Sequence, residues 1–129
     1  MELRRIAAFY CLFIGISMIG MWSVFIITDA VPEIETKPAE IGLHVIAEIL
    51  TATALLIGGL GLLFRKRWGF NMYLVASGLL TYTLIVSPGY YITKEEPVFV
   101  AMFGLFLALD IILLVMMLKK EEGAHKPIN

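Results

Sequence analysis

Apolar residues are concentrated in four long segments of this 129-residue chain. Each segment is at least as long as the roughly 20 residues that an α-helix needs to cross a bilayer. Charged residues and prolines separate the segments, which are Ile6–Thr28, Ile41–Phe64, Trp68–Ile92 and Val98–Leu118. The pattern predicts an all-α integral membrane protein, with four transmembrane helices in an antiparallel up-down bundle that forms one domain over residues 1–129.

The basic residues are clustered on one side of these predicted helices. Lys and Arg precede the first span, connect the second to the third and follow the fourth, at Arg4–Arg5, Arg65–Arg67 and Lys119–Lys120. The two remaining connections hold one lysine each, Lys37 and Lys94. Because cytoplasmic loops are enriched in Lys and Arg, we expect a multi-pass protein of the cell membrane with both termini in the cytoplasm. The acidic loop Asp29–Glu40 then faces outward.

Composition supports lipid as the surrounding medium. Hydrophobic residues make up 60% of the chain, against about 45–50% in soluble domains. The net charge of −1 gives no reason to expect nucleic acid as a partner. A single cysteine, Cys11, cannot form a disulfide within the chain, and we interpret it as a small packing residue.

Small residues recur along each predicted span, as is typical of the faces through which membrane helices pack. They are Ala7, Cys11 and Gly15 in the first span, Ala47, Ala54, Gly58 and Gly61 in the second, Ala76 and Gly78 in the third, and Ala101, Gly104 and Ala108 in the fourth. We expect them to pack one bundle; the alternative is that one face forms a homo-oligomer or joins a larger membrane complex. Pro88 is predicted to break or kink the third span near its outer end.

Ionisable residues within a membrane span are costly and suggest function. His44 and Glu48 are four residues apart in the second span and therefore share a helix face, which Thr51 continues. We expect His44, Glu48 and Tyr82 to converge on one polar cavity that opens toward the outer surface. Asp110, in the fourth span, is expected to face other helices. By depth, its expected partners are Thr51, Thr53 or Thr81.

Three interpretations of these polar residues remain open. His44 and Glu48 can act as metal ligands with a third ligand elsewhere, because imidazole and carboxylate at this spacing can share one ion. The polar groups can instead line a proton or ion path. In the third interpretation they are structural: Glu48 hydrogen-bonds a hydroxyl inside the bundle, and Asp110 pairs with a neighbouring helix. No catalytic residue and no specific cofactor are predicted.

A short motif in the second span resembles the DoxX-like family of small four-helix membrane proteins. It consists of Ala47-Glu48-Ile49-Leu50, an apolar run into Gly58-Gly59-Leu60-Gly61, and Arg67-Trp68-Gly69. The resemblance covers residues 5–118 in topology and residues 47–69 in motif. It implies a subunit or accessory protein of a membrane redox system that works near quinones, and Glu48 is the one residue to which it assigns a role.

Two further function classes stand beside this one. A small oligomeric transporter or channel is suggested by the polar residues of spans two to four. A metal-dependent membrane enzyme rests on His44 and Glu48 alone. The absence of recognisable catalytic motifs favours the accessory subunit, which is not itself an enzyme.

Overall fold

The computed structural model describes residues 2–28, 33–93 and 95–124, and helices are the only regular structure in these residues. Four of the helices are long and apolar enough to cross a membrane. In chain order the helices are α1 (Leu3–Ile27), α2 (Glu33–Thr36), α3 (Pro38–Leu63), α4 (Gly69–Thr93) and α5 (Pro97–Ala124). The predicted all-α class and the four candidate spans are therefore confirmed.

Helices α3 and α5 extend beyond the predicted spans at ends where the flanking residues are compatible with a helix. Helix α3 begins at Pro38, three residues before Ile41, because proline is well suited to the first turn of a helix. Helix α5 continues past Leu118 through Lys119 and Lys120, which are good helix formers. Part of the predicted outer loop is helix α2. Residues 29–32 of that loop, and Lys94, lie outside the described residues.

Pro88 lies inside α4, which continues to Thr93. The predicted break of the helix at this proline is wrong. Proline removes one backbone N–H donor, but in a membrane span neighbouring groups can satisfy the freed carbonyl, so the helix is retained.

Contacts divide the chain into two compact units, Met1–Ala76 and Ser77–Asn129. In the first unit, α1 packs along α3 through small residues, as predicted for Ala7, Cys11 and Gly15, which are buried. On α3, a Cβ atom on Gly59 would lie 3.0 Å from Cγ of Leu12 and 3.1 Å from the carbonyl oxygen of Ala8. Small residues thus allow the two backbones to come together.

The connection from α3 to α4 brings two backbones into direct contact. A Cβ atom on Gly69 would lie 2.6 Å from the carbonyl carbon of Gly61, so only glycine fits at this position. The guanidinium of Arg4 donates a hydrogen bond from Nε to the carbonyl oxygen of Leu62 at 2.8 Å. Because carbonyls in the last turn of a helix lack partners within that helix, Arg4 joins α1 to the end of α3.

The second unit contains the rest of α4 and all of α5. Apart from its chain neighbours and the nearby backbone of its own helix, a Cβ atom on Gly78 or Gly104 would meet no atom of the described residues within 4 Å. Ala101 and Ala108 are exposed. The prediction that these residues of span four pack inside one bundle stays a prediction. A polar contact around Asp110 joins α4 to α5.

Candidate functional site

Glu48 is a buried carboxyl in the first unit. Glu48 is 4% exposed. Its Oε2 atom accepts a hydrogen bond of 3.3 Å from the ring N–H of Trp22, which lies on α1. This is a long hydrogen bond by the usual range for N–H donors. A carboxyl in apolar surroundings needs such donors because its loss of hydration is costly.

His44 lies one helical turn before Glu48, as its spacing predicted. Its Nε2 atom is 3.9 Å from Oε1 of Glu48, and its side chain is 38% exposed. This distance is too long for a hydrogen bond. The two side chains form an ion pair when the imidazole is protonated. The imidazole also contacts the edge of the Trp22 ring, with 5.6 Å between centroids. The three side chains form what we call the Glu48 cluster: Trp22, His44 and Glu48.

An open apolar groove lies beside this cluster. It has a volume of about 320 Å³ and is lined by residues of α1, α2 and α3: Trp22, Ile26, Ile34, Pro38, Ile41, Gly42, Val45 and Ile46. Trp22 belongs to both features, because it lines the groove and its ring N–H donates to Glu48. Trp22 thus connects the apolar groove to the buried carboxyl of Glu48.

Thr51 contributes less to this site than its position suggested. It is buried, and its hydroxyl donates to the carbonyl oxygen of Ala47 at 2.8 Å. Its only proton is thus used within α3. Within the described residues, no group of three or more His, Cys, Asp and Glu side chains could hold a metal ion. The described chain therefore supplies no third ligand to His44 and Glu48.

The second buried carboxyl, Asp110, lies in the second unit. It is 1% exposed, which confirms the prediction that it faces protein. Ser77 donates a hydrogen bond of 2.7 Å to its Oδ1 atom, and the hydroxyl of Thr81 contacts its Oδ2 atom. Thr81 was one of the predicted partners. Thr53, another predicted partner, instead donates to the carbonyl oxygen of Ile49. We call Ser77, Thr81 and Asp110 the Asp110 cluster.

Tyr82 does not occupy a buried position. Its side chain is 69% exposed, so the expected burial of its hydroxyl is wrong, and its convergence with His44 and Glu48 stays a prediction. Helical geometry explains the error. Tyr82 is one residue after Thr81, and consecutive residues are rotated by about 100° around the helix. Because Thr81 faces Asp110, its neighbour points elsewhere.

Sequence reasoning missed two members of these clusters, Trp22 and Ser77. Trp22 lies toward the end of the first span, where tryptophan is usually found at the membrane interface. A tryptophan in a span carries one N–H donor that usually finds a partner when buried, and Glu48 was an available acceptor. Ser77 precedes Thr81 by four residues. That spacing could have placed both hydroxyls on the face toward Asp110.

Comparison with known proteins adds a family but no activity. Residues 1–128 match DUF8058, a domain of unknown function. No curated protein and no solved structure matches the chain. Because the match covers nearly the whole sequence, the chain belongs to the DUF8058 family.

Proposed function

We propose that this protein is an accessory subunit of a quinone-linked redox system in the cell membrane, and that the Glu48 cluster with its groove binds the quinone. The observation that carries the proposal is the pairing of a buried carboxyl with an apolar groove through one side chain, Trp22. A membrane quinone has an apolar tail and a polar head that gains or loses protons. The groove suits the tail, and His44 and Glu48 suit the head.

Two residues of this cluster, His44 and Glu48, are of the types that exchange protons. His and Glu are the usual groups for proton transfer in proteins, whereas the electrons for quinone chemistry would come from a partner protein. This division of labour is why we propose an accessory subunit. The resemblance of residues 47–69 to the DoxX-like family points in the same direction, and it assigns its one role to Glu48. Kinship with that family is part of the proposal.

Tryptophan fluorescence provides a direct test, because the chain has two tryptophans. In a Trp68→Phe variant, Trp22 is the only emitter, and a short-chain quinone should quench it saturably. The matched control is Trp22→Phe, in which only Trp68 emits. Trp68 is exposed, so it reports quinone that is merely dissolved in the detergent or lipid. Equal, non-saturating quenching of the two variants would contradict the proposal.

A second pair of variants tests the role of the carboxyl. Glu48→Gln in the Trp68→Phe background keeps the size of the side chain and an oxygen for Trp22. It removes the ability to titrate. We expect quinone to bind this variant at least tenfold more weakly. Unchanged affinity would mean that Glu48 holds the helices together and does not bind the ligand.

We further propose that four helices cross the membrane up and down as one bundle, with both termini in the cytoplasm. Apolar length supports four crossings, and the basic residues on one side support the orientation. With Cys11 replaced by Ala, Lys37→Cys should react with an impermeant thiol reagent added to intact cells, and Lys66→Cys should not. Labelling of position 66 without permeabilisation would reverse the orientation. Lys94→Cys, predicted to be outside, is a further labelling position.

A small oligomeric transporter is the second candidate. It is favoured by the exposure of Ala101, Gly104 and Ala108 on one side of α5, since such residues allow close packing between membrane helices. The mass of the purified particle in detergent separates the two functions. A stable homo-oligomer favours transport, whereas a single chain that copurifies with a redox complex favours the accessory subunit.

A further inference from the structure

We propose that Asp110 is a proton-binding site in the middle of the second unit, where its carboxyl holds a proton between the hydroxyls of Ser77 and Thr81. The site is separate from the Glu48 cluster and does not depend on the proposed quinone function. Its ligand is the proton itself, bound at the Oδ2 atom of Asp110.

The hydrogen bonds around Thr81 are the first observation that indicates a protonated Asp110. Its Oγ1 atom lies 2.8 Å from the carbonyl oxygen of Ser77 and also contacts Oδ2 of Asp110. A hydroxyl has one proton to donate, and a carbonyl oxygen can only accept. When Thr81 donates to Ser77, the proton between Thr81 and Asp110 has to come from the carboxyl. The neutral acid therefore satisfies both contacts, and the carboxylate satisfies only one of them.

The second observation is the lack of a compensating charge along these two helices. Helix α4 contains no Asp, Glu, Lys, Arg or His between Gly69 and Thr93, and Asp110 is the one such residue of α5 between Pro97 and Leu118. The side chains that face it from α4 are the hydroxyls of Ser77 and Thr81. An ionised carboxyl at 1% exposure without a cation is expensive in apolar surroundings. A bound proton removes that cost.

The third observation is the position of Asp110 along α5. Asp110 is 13 residues after Pro97, which is about 20 Å along a helix long enough to cross the membrane. A proton at this depth is remote from both helix ends. Thr81 also makes the site reversible. After the proton leaves, its hydroxyl can turn from the Ser77 carbonyl to the carboxylate, and Ser77 already donates to Oδ1.

Infrared spectroscopy at neutral pH tests this proposal. The spectrum of the unchanged protein minus that of Asp110→Asn should contain the C=O stretch of a protonated carboxyl, and the band should shift in D₂O. Asparagine suits this control because its amide reproduces the acceptor and donor of the neutral acid, so the variant should melt at the same temperature. Carboxylate bands in place of the acid band would overturn the proposal.

Thr81→Val gives a second measurement that does not require Asp110→Asn to fold. Loss of the Thr81 hydroxyl should move the acid C=O band, because the carboxyl O–H loses its acceptor. The matched control is Thr53→Val, whose hydroxyl bonds its own helix and which should leave the band in place. An unchanged band in Thr81→Val would refute the assignment. Spectra in sodium and potassium salts complete the test, since a carboxylate that appears only with sodium would make the ligand a cation.

Discussion

The two buried carboxyls of this protein differ in what surrounds them. Glu48 accepts from an aromatic N–H and lies near a half-exposed histidine, next to an open apolar groove. Asp110 lies between two hydroxyls and has no charged residue near it along either helix. Glu48 thus has one ionisable neighbour, His44, and lies beside an open groove. The partners of Asp110 are hydroxyls, which stay neutral.

This difference separates two uses of a carboxyl inside a membrane helix. Glu48 lies near another ionisable side chain, His44, and beside an open groove, so its environment suits contact with a bound molecule. A group held by hydroxyls is stabilised in one place, and removal of either hydroxyl leaves a buried polar atom without a partner. Stability should therefore depend more on Asp110, and ligand binding more on Glu48.

The largest expected effect comes from removing each carboxyl in turn. We expect Asp110→Ala to lower the free energy of unfolding by about 2 kcal/mol, because the Ser77 hydroxyl loses its acceptor inside the protein. Glu48→Ala should cost about 1 kcal/mol, because the hydrogen bond it removes is long and a water molecule can replace it from the groove. Reversible unfolding in mixed micelles measures both values. Equal losses would remove the distinction between the two sites.

A smaller effect is expected from the hydroxyls of α3 and α4. Thr81→Val preserves shape and removes the contact with Asp110, so it should cost about 1 kcal/mol. Thr53→Val is the matched control: its hydroxyl donates to the carbonyl of Ile49 in its own helix, and its loss should stay within about 0.5 kcal/mol. The same unfolding assay applies. If Thr53→Val lowers the free energy of unfolding as much as Thr81→Val does, the contact with Asp110 does not add to the stabilisation by the Thr81 hydroxyl.

Features that depend on position along the chain could be predicted from the sequence. Apolar length located the four long helices to within a few residues, except at the C-terminal end of α5. The rise along a helix matched Thr81 with Asp110 in depth. The spacing of His44 and Glu48 placed them on one face. Each inference uses one helix at a time, or two helices compared by depth alone.

Features that depend on rotation about a helix axis could not be predicted. These helices are apolar on all sides, so no polar face shows which side is turned toward the protein. Depth alone suggested Tyr82 as a partner of Glu48, yet its side chain is exposed. The same uncertainty hid Trp22, whose partner lies on another helix.

The smallest expected effect on stability concerns His44, and it separates stability from binding within the Glu48 cluster. His44→Phe keeps an aromatic ring against Trp22 and removes the nitrogen that lies 3.9 Å from Glu48. A partly exposed ion pair contributes little, so the free energy of unfolding should change by no more than about 0.5 kcal/mol. Quenching of Trp22 by quinone, measured in the Trp68→Phe background, should nevertheless weaken several-fold, because the polar head loses one of its two polar neighbours. If His44→Phe binds quinone as the parent does, the imidazole is not part of the binding site. If the variant unfolds as readily as Asp110→Ala, His44 supports the fold, and the contrast between the two carboxyls fails on the Glu48 side.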